Sequence, residues 1–262
     1  MNSNPIGIFD SGVGGTSIWK ELQKMLPFED MIYLADSKNA PYGEKPKDVI
    51  LDLSIKNTDL LLGKGCKLIV VACNTATTNA IDYLRAHYEV PFIGIEPAIK
   101  PAALQSGTKR VGVLATKGTL ASQLFLSTSK THANEIEVVE QVGAGLVKLI
   151  EAGEVDTDKT KALLLKYLQP MLNANIDHLV LGCTHYPYLI PVLKELLPEG
   201  INIIDCGEAV ARQTHNVLQK NQLLNSIGHR GTHEFFINTD KTVLDKFIKD
   251  SNAVYRVTEI EF

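Results

Sequence analysis

Two cysteines, Cys73 and Cys183, stand in matching sequence contexts. Each follows a short apolar run and a small residue, and each precedes hydroxyl, amide or imidazole side chains. A thiol whose ordinary pKa is about 8.5 can take up or give a proton once its surroundings tune it. One such cysteine would suggest a nucleophile. Two equivalent cysteines instead suggest a pair of acid/base groups that face one substrate from opposite sides.

Each cysteine also precedes a helical pattern. Cys73 is followed by Asn74 and Thr75, which are good capping residues, and Cys183 is followed by Thr184 and a predicted helix start near Pro187. The backbone N–H groups and the dipole of a helix N-terminus favour a thiolate. We therefore expect both thiols to be partly ionised.

Several of these residues also have a purely structural interpretation. A single cysteine at a strand end is as often a small buried apolar residue, which is how we interpret Cys66 and Cys206. His185, two residues after Cys183, could bind substrate or tune the thiol, although a lone histidine is usually a surface or capping residue. Glu151 follows an apolar run, and the sequence favours a solvated helix end there.

A glycine-rich segment at 10–16, Asp-Ser-Gly-Val-Gly-Gly-Thr, follows the first predicted strand. Its glycines permit tight turns and close backbone approach, and the next helix offers free N–H groups to an anion. Ser17 stands where a dinucleotide fingerprint needs glycine, and the Gly-Lys-Ser/Thr of a Walker loop is absent. We expect a small carboxylate or amine here, with Asp10 binding an ammonium group, orienting a base or simply capping the helix.

The elements that must position these residues alternate between strands and helices. Most candidate strands are continuous Val/Ile/Leu runs, which is typical of parallel strands covered on both faces. The predicted strands are 6–9, 31–34, 68–72, 92–95, 110–114, 135–139, 178–181, 201–204 and 234–237. Helical patterns at 49–62, 75–87 and 159–172 lie between them, which indicates an α/β fold.

An internal repeat predicts two such units. The segment 6–12 resembles 111–117 at nearly the spacing that separates the two cysteines. We predict two similar lobes, each a mostly parallel sheet flanked by helices, with the active site in the cleft between them. The first lobe would comprise 1–98 plus 209–262, and the second 99–208. Asp10, Cys73, Thr116 and Cys183 would all lie at carboxyl ends of strands, where open α/β sheets bind ligands.

Composition excludes several classes of function. The chain has 262 residues, 45% hydrophobic and 21% charged, with a formal net charge of −4. Its basic residues are scattered, so no nucleic-acid partner is expected. The first residues lack a signal-peptide pattern, and no apolar run is long enough to span a bilayer, so we expect a cytoplasmic protein with no membrane partner. Its thiols should stay reduced, and without a Cys-x-x-Cys pair no metal site is expected.

Six segments together resemble the bacterial glutamate racemases of the aspartate/glutamate racemase superfamily. Their order and approximate spacing fit nearly the whole chain, and the combination is far more specific than any one piece. The segments are Ile-Gly-Ile-Phe-Asp-Ser-Gly-Val-Gly-Gly at 6–15, Tyr-Leu-Ala-Asp at 33–36, Pro-Tyr-Gly at 41–43, Ala-Cys-Asn-Thr-Ala at 72–76, Gly-Ile-Glu-Pro at 94–97 and Gly-Cys-Thr-His-Tyr-Pro at 182–187.

The resemblance implies a cofactor-independent racemase with two thiol bases, making D-glutamate for peptidoglycan. Cys73 would act on D-glutamate and Cys183 on L-glutamate, assisted by Asp10 and His185. Substrate would be held by Asp10, Ser11, Tyr42, Gly43, Asn74, Thr75, Thr116, Thr119, Thr184 and His185. Family members are often dimers, so a homodimer is expected. The segment 142–146 departs from the family by lacking a Cys-Pro-like stretch, although Glu151 matches an acid that members carry near the site.

Three alternatives stay open on the sequence. The same thiol pair could racemise aspartate or a related amino acid. A thiol hydrolase could use Cys183 as nucleophile and His185 as base, which would leave Cys73 unexplained. A two-lobed amino-acid binding protein would need neither thiol.

Overall fold

The structure is a computed structural model. It describes residues 3–122, 125–127, 136–225, 228, 230–249, 251 and 253–262. Within these residues the strands are β1 Ile6–Asp10, β2 Met31–Ala35, β3 Leu68–Val71, β4 Phe92–Gly94, β5 Arg110–Ala115, β6 Glu137–Val142, β7 His178–Gly182, β8 Asn202–Ile204, β9 Thr232–Ile237 and β10 Val254–Glu259.

Helices connect most of these strands. They are α1 Thr16–Met25, α2 Lys47–Gly63, α3 Asn74–His87, α4 Ile99–Gln105, α5 Lys117–Leu120, α6 Leu146–Glu151, α7 Asp158–Asn173, α8 Ile190–Leu196, α9 Gly207–Lys220 and α10 Lys241–Ile248. Short 3₁₀ turns occupy Ser37–Asn39, Tyr42–Glu44 and Tyr186–Leu189.

The strands form two parallel sheets, which confirms the predicted fold class. One sheet has the order β10-β9-β2-β1-β3-β4 and the other β6-β5-β7-β8. All described pairings are parallel. β1, β2, β3 and β7 are buried along their whole lengths, as continuous apolar runs require when helices cover both faces.

The internal repeat appears as a shared topology. The order β2-β1-β3-β4 in the first sheet matches β6-β5-β7-β8 in the second. In each sheet the central strand, β1 or β5, therefore lies beside the strand that precedes a cysteine. This arrangement brings the carboxyl ends of β1, β3, β5 and β7 to the junction of the two lobes.

Two parts of the sheets differ from the sequence prediction. β6 begins and ends later than the predicted strand at 135–139, whose first residue lies outside the described residues. β10 was not predicted at all. Both are edge strands whose residues are exposed or half-buried, so they lack the continuous apolar runs by which the other strands were found.

The largest apolar cluster runs through both lobes. It joins Ile8 and Trp19 of the first lobe to Leu181 and Leu168 of the second and to Leu218 of α9. Two smaller clusters cover the opposite faces of the two sheets. After α9 the chain returns to the first sheet, where β9 pairs with β2. Among the described residues, none of the helices has the length and apolar character needed to cross a membrane.

Candidate active site

The two cysteines line one small cavity between the lobes. Cys73 lies at the N-cap of α3, directly after β3 and Ala72, and Cys183 directly follows β7. Both side chains are buried, and the cavity they share has a volume of only about 10 Å³. That is about the space that one water molecule needs, so the surrounding groups must move apart for a larger ligand to enter.

Cys73 is connected to a buried carboxylate through one hydroxyl. Its thiol donates to Oγ of Ser11 at 3.7 Å, and that hydroxyl donates to Oδ1 of Asp10 at 3.4 Å. Asp10 is fixed by the N–H of Gly15 at 2.6 Å and by the hydroxyl of Thr184, which reaches it from the other lobe at 3.4 Å. A proton on Cys73 therefore has a short hydrogen-bonded path to a carboxylate.

Cys183 has an equivalent connection through an imidazole. Its Sγ lies 3.7 Å from Nδ1 of His185, whose Nε2 lies 2.5 Å from Oε1 of Glu151. His185 is buried, and the Glu151 side chain is only 16% exposed. The interpretation of Glu151 as a solvated helix end is therefore wrong, because helix α6 points this carboxylate inward at His185.

The tautomer of His185 determines which of its ring nitrogens can exchange a proton with Cys183. The N–H of Gly14 also approaches Nε2 of His185, at 3.3 Å. A nitrogen cannot accept from that N–H while donating to Glu151. We assign the proton on Nε2 to the shorter, charge-assisted contact with the carboxylate. Nδ1 then faces Cys183 and can exchange a proton with its sulfur.

Burial and neighbouring charges set the pKa values of these groups. Burial, followed by the charge of Asp10, raises the pKa of Cys73 well above its ordinary value, against the opposing hydrogen bond from the N–H of Ala76. The expectation that Cys73 is partly ionised is therefore wrong: desolvation outweighs the helix N-terminus. Burial also raises the pKa of Asp10, although nearby His185 opposes that rise.

His185 shifts toward its charged form. Burial works against the imidazolium, but hydrogen bonds to Cys183 and Glu151, and the charges of those two groups, raise the pKa of His185 well above its ordinary value. The second side of the cavity therefore favours an imidazolium beside a sulfur, whereas the first favours a neutral thiol. The two thiols occupy chemically different surroundings.

The glycine-rich segment binds a carboxylate, as its pattern predicts, but that carboxylate belongs to the protein. The N–H of Val13 donates to Oε1 of Glu151 at 2.8 Å. A Cβ added to Gly12 would lie 2.0 Å from that oxygen, and one added to Gly14 would lie 2.2 Å from Nδ1 of His185. The glycines permit this close approach between the lobes, and the binding of a ligand by this segment stays a prediction.

Three threonine hydroxyls join across the cleft. Oγ1 of Thr75 lies 2.9 Å from Oγ1 of Thr116, which in turn lies 2.9 Å from Oγ1 of Thr119. Next to them, both polar side-chain atoms of Asn74 are buried without a hydrogen-bond partner, and Asn74 lines the cavity. A buried unsatisfied amide costs about 1–3 kcal/mol, which a polar ligand in the cavity would relieve.

Tyr42 and Gly43 line the cavity from the 3₁₀ turn Tyr42–Glu44, which the buried carboxylate of Asp36 holds in place. The Tyr42 hydroxyl donates to Oδ2 of Asp36 at 2.5 Å, and the amide nitrogen of Asn238 donates to Oδ1 at 2.5 Å. The hydroxyl of Tyr42 is therefore already used inside the protein. Asp36 belongs to the segment 33–36 quoted above, but its contact with Asn238 could not be predicted, because the two residues lie far apart in the chain.

Most of the predicted site residues surround this one cavity. Asp10 and Thr119 do not line it but contact residues that do. Pro41 and Val147 also line it without having been predicted as site residues, and Val147 is an ordinary aliphatic side chain with nothing in the sequence to mark it. The lining residues that were predicted are Ser11, Tyr42, Gly43, Cys73, Asn74, Thr75, Thr116, Cys183, Thr184 and His185.

A small cavity flanked by two proton-accepting side chains, each backed by a carboxylate, can move protons on opposite sides of a small polar molecule. Among the residues that the structure describes, no group of three or more His, Cys, Asp or Glu side chains is arranged to hold a metal ion. The fold and site together define a class of two-lobed α/β proteins with acid/base groups at the lobe junction.

Comparison with known proteins supports this class. The model of the family described as Asp/Glu/Hydantoin racemase matches residues 31–214. A glutamate racemase from Herpetosiphon aurantiacus is 46% identical over 92% of this chain and 94% of its own length. The chain belongs to the Asp/Glu/Hydantoin racemase family. Within that family it is an amino-acid racemase.

Solved structures give the same assignment. Glutamate racemase from Francisella tularensis in complex with D-glutamate superposes with a TM-score of 0.85 at 28% identity, covering 100% of this chain and 98% of that chain. Escherichia coli glutamate racemase in complex with L-glutamate and an activator superposes with a TM-score of 0.86 at 32% identity, covering 98% of both chains.

Proposed function

We propose that this protein interconverts L- and D-glutamate by moving protons between two cysteine thiols and the α-carbon, without a cofactor. Cys73 would remove the α-proton of D-glutamate and Cys183 that of L-glutamate, and the opposite thiol would return a proton to the other face. The single observation that carries the proposal is that both sulfurs line one small cavity.

The carboxylates behind the thiols support this chemistry. Each thiol must change between protonated and ionised forms during a turnover, and a positioned neighbour eases such a transfer. Asp10, through Ser11, would serve Cys73, and Glu151, through His185, would serve Cys183. The imidazolium favoured at His185 would place a positive charge beside the sulfur of Cys183.

An α-proton of an amino acid is far too weakly acidic for a thiolate acting in water. The site must therefore stabilise the negative charge that develops on the substrate and keep solvent away. The buried hydroxyls of Ser11, Thr75 and Thr184 would supply hydrogen bonds, and the unpartnered amide of Asn74 would gain one from a bound carboxylate. The enclosed cavity would exclude bulk water.

Glutamate is the favoured substrate because of the relatives. The protein from Herpetosiphon aurantiacus is named for that substrate, and the Francisella and Escherichia structures hold D- and L-glutamate. Racemisation of aspartate remains the second candidate, since a neighbour named aspartate racemase shares the fold at lower identity. A hydrolase based on Cys183 and His185 would leave the connection from Cys73 to Asp10 without use.

The location and assembly stated from the sequence stay predictions. We expect a cytoplasmic homodimer that supplies D-glutamate for peptidoglycan, as the resemblance to glutamate racemases implies. A mass measurement in solution and the growth of a depleted strain with and without D-glutamate would test them.

The proposal is tested by incubating L- or D-glutamate with the protein in deuterated water. We expect deuterium to enter the α-position and optical activity to decay toward zero, with no added pyridoxal phosphate or metal. Cys73→Ser and Cys183→Ser should each lower racemisation by at least about a hundredfold, since acid–base groups contribute roughly 10²–10⁴-fold. Cys66→Ser is the matched control, because this buried thiol lies outside the cavity.

The outcomes separate the alternatives. Binding of glutamate without any deuterium exchange in the wild type would indicate a binding protein. Cleavage of an ester or amide that needs only Cys183 would indicate a hydrolase. Faster exchange with aspartate than with glutamate would move the assignment to the second candidate.

A further inference from the structure

A second cavity adjoins the one that holds the thiols. It has a volume of about 130 Å³ and shares four lining residues with the thiol cavity: Pro41, Gly43, Thr116 and Val147. Its remaining lining residues include Glu44 and the segment 142–145. The shared wall means that a molecule leaving the thiol cavity past these four residues enters the second one.

Opposite charges stand at the outer rim of this second cavity. Nζ of Lys148 lies 3.0 Å from Oε2 of Glu44, and the two side chains are 61% and 55% exposed. Lys117, also exposed, is the other cation in its lining. The ion pair joins helix α6 of the second lobe to the 3₁₀ turn Tyr42–Glu44 of the first, so it bridges the two lobes at the rim.

The contacts beside this ion pair are tight. A Cβ on Gly43 would lie 2.7 Å from Cβ of Thr116, and one on Gly118 would lie 3.2 Å from Cα of Gly43. By contrast, an exposed ion pair contributes little because water screens it. An anion can therefore replace Glu44 beside Lys148 at small cost.

We propose that the second cavity is the entrance for substrate and that Lys148 captures a carboxylate of the incoming amino acid there, with Glu44 as the carboxylate it displaces. This inference rests on the proposed function. Glutamate carries two carboxylates and one ammonium group at neutral pH, and the chain has a net charge of −4, so a local cation is needed to attract it. A small dicarboxylic amino acid is the class of ligand that fits.

The proposal makes opposite predictions for the two partners of the ion pair. Lys148→Gln removes the capturing charge and should lower kcat/KM for glutamate about twofold to fivefold at low ionic strength, with the larger share in KM. Glu44→Gln removes the competitor and should raise kcat/KM. The double variant should behave like Lys148→Gln. Added salt should shrink all these differences, because the Debye length falls from about 30 Å at 0.01 M to about 8 Å at 0.15 M.

A matched control separates local capture from overall charge. Arg110 and Glu137 form another exposed ion pair at 3.1 Å, at the amino end of β5, whose carboxyl end leads to Thr116 at the site. Arg110→Gln and Glu137→Gln change the net charge by the same amounts and should leave kcat/KM within experimental error.

Each outcome decides the matter. If Lys148→Gln and Glu44→Gln change kcat/KM in the same direction, the pair is only a clamp between lobes and capture is overturned while the proposed function stands. If Arg110→Gln and Glu137→Gln change kcat/KM as much as Lys148→Gln and Glu44→Gln do, the effect comes from net charge, and capture is again overturned. If the wild type does not racemise glutamate, the proposed function fails and the capture proposal fails with it.

Discussion

At the scale of single residues, Glu151 changes how the site is understood. It accepts from Val13 of the first lobe, from His185 of the second and from the hydroxyl of Ser37 at 3.2 Å. One carboxylate therefore fixes the position and the charge of the imidazole that faces Cys183. Glu151 acts through His185, so it is a positioning residue for the reaction.

Replacing Glu151 tests that role. Glu151→Gln keeps the size of the side chain but removes a charge that raises the pKa of His185, so that pKa should fall. If the imidazolium is the active form, the alkaline loss of activity should begin at lower pH, and kcat/KM should drop about ten- to hundredfold. The measurement is the pH profile of kcat/KM, recorded once with L-glutamate and once with D-glutamate as the substrate. Enantiomers have equal free energies, so both directions must fall equally.

The control for this change lies three residues further on. Glu154 is 43% exposed and pairs with Lys159 at the surface, so Glu154→Gln should leave the profile unaltered. Glu151→Gln could instead lower kcat/KM while the alkaline side of the pH profile stays at the same pH. That result would show that Glu151 supports packing only and does not raise the pKa of His185.

At the scale of elements, the loop between β1 and α1 decides how closely the lobes approach. Its glycines lie against Glu151 and His185, and the hydroxyl of Ser17 in α1 donates to the carbonyl of Thr184 at 2.9 Å. The start of α1 therefore contacts the residues that follow Cys183. A change in this loop acts directly on the second lobe's half of the site.

Gly14→Ala should damage the site more than the fold. The added Cβ would lie 2.2 Å from Nδ1 of His185, so the imidazole or the loop must move by an ångström or more. A misplacement of about 1 Å can cost roughly a hundredfold in rate, and we expect a loss of that size in kcat/KM. Steady-state kinetics and urea unfolding should be measured together, with Gly63→Ala as control because nothing lies within 4 Å of its Cβ position. A variant with wild-type kinetics would contradict the close approach.

The sequence predicted the elements better than the contacts between them. Buried strands such as β1, β3 and β7 were found because both of their faces are covered, which leaves a continuous apolar run in the sequence. β10 was missed because an edge strand needs no such run. The ion pair of Glu151 with His185 could not be found either, since no local pattern tells which acid on a helix faces the cleft.

At the scale of the whole molecule, the C-terminal segment stabilises the first lobe. β9 pairs with β2 and carries His233, whose Nδ1 accepts from the indole N–H of Trp19 in α1 at 3.4 Å. Nearby, Nζ of Lys67 lies 2.6 Å from Glu29 in a buried ion pair, and Glu29 also accepts from the backbone of Asn225 at 2.7 Å. Polar contacts as well as apolar packing thus hold the end of the chain on the first sheet.

His233 makes the stability of this assembly depend on pH. Burial lowers the pKa of His233 to about 4, against the opposing charge of Asp30, whereas an unfolded histidine titrates near 6.5. Between these values the unfolded chain binds a proton that the folded chain does not, so stability falls as pH drops from about 6.5 to 4, by up to roughly 3 kcal/mol. His233→Gln keeps an acceptor for Trp19 but cannot titrate, so its free energy of unfolding should lack this decline. Urea unfolding of both proteins across pH 4–7 measures the difference, and parallel curves would show that His233 stays accessible to protons in the folded protein.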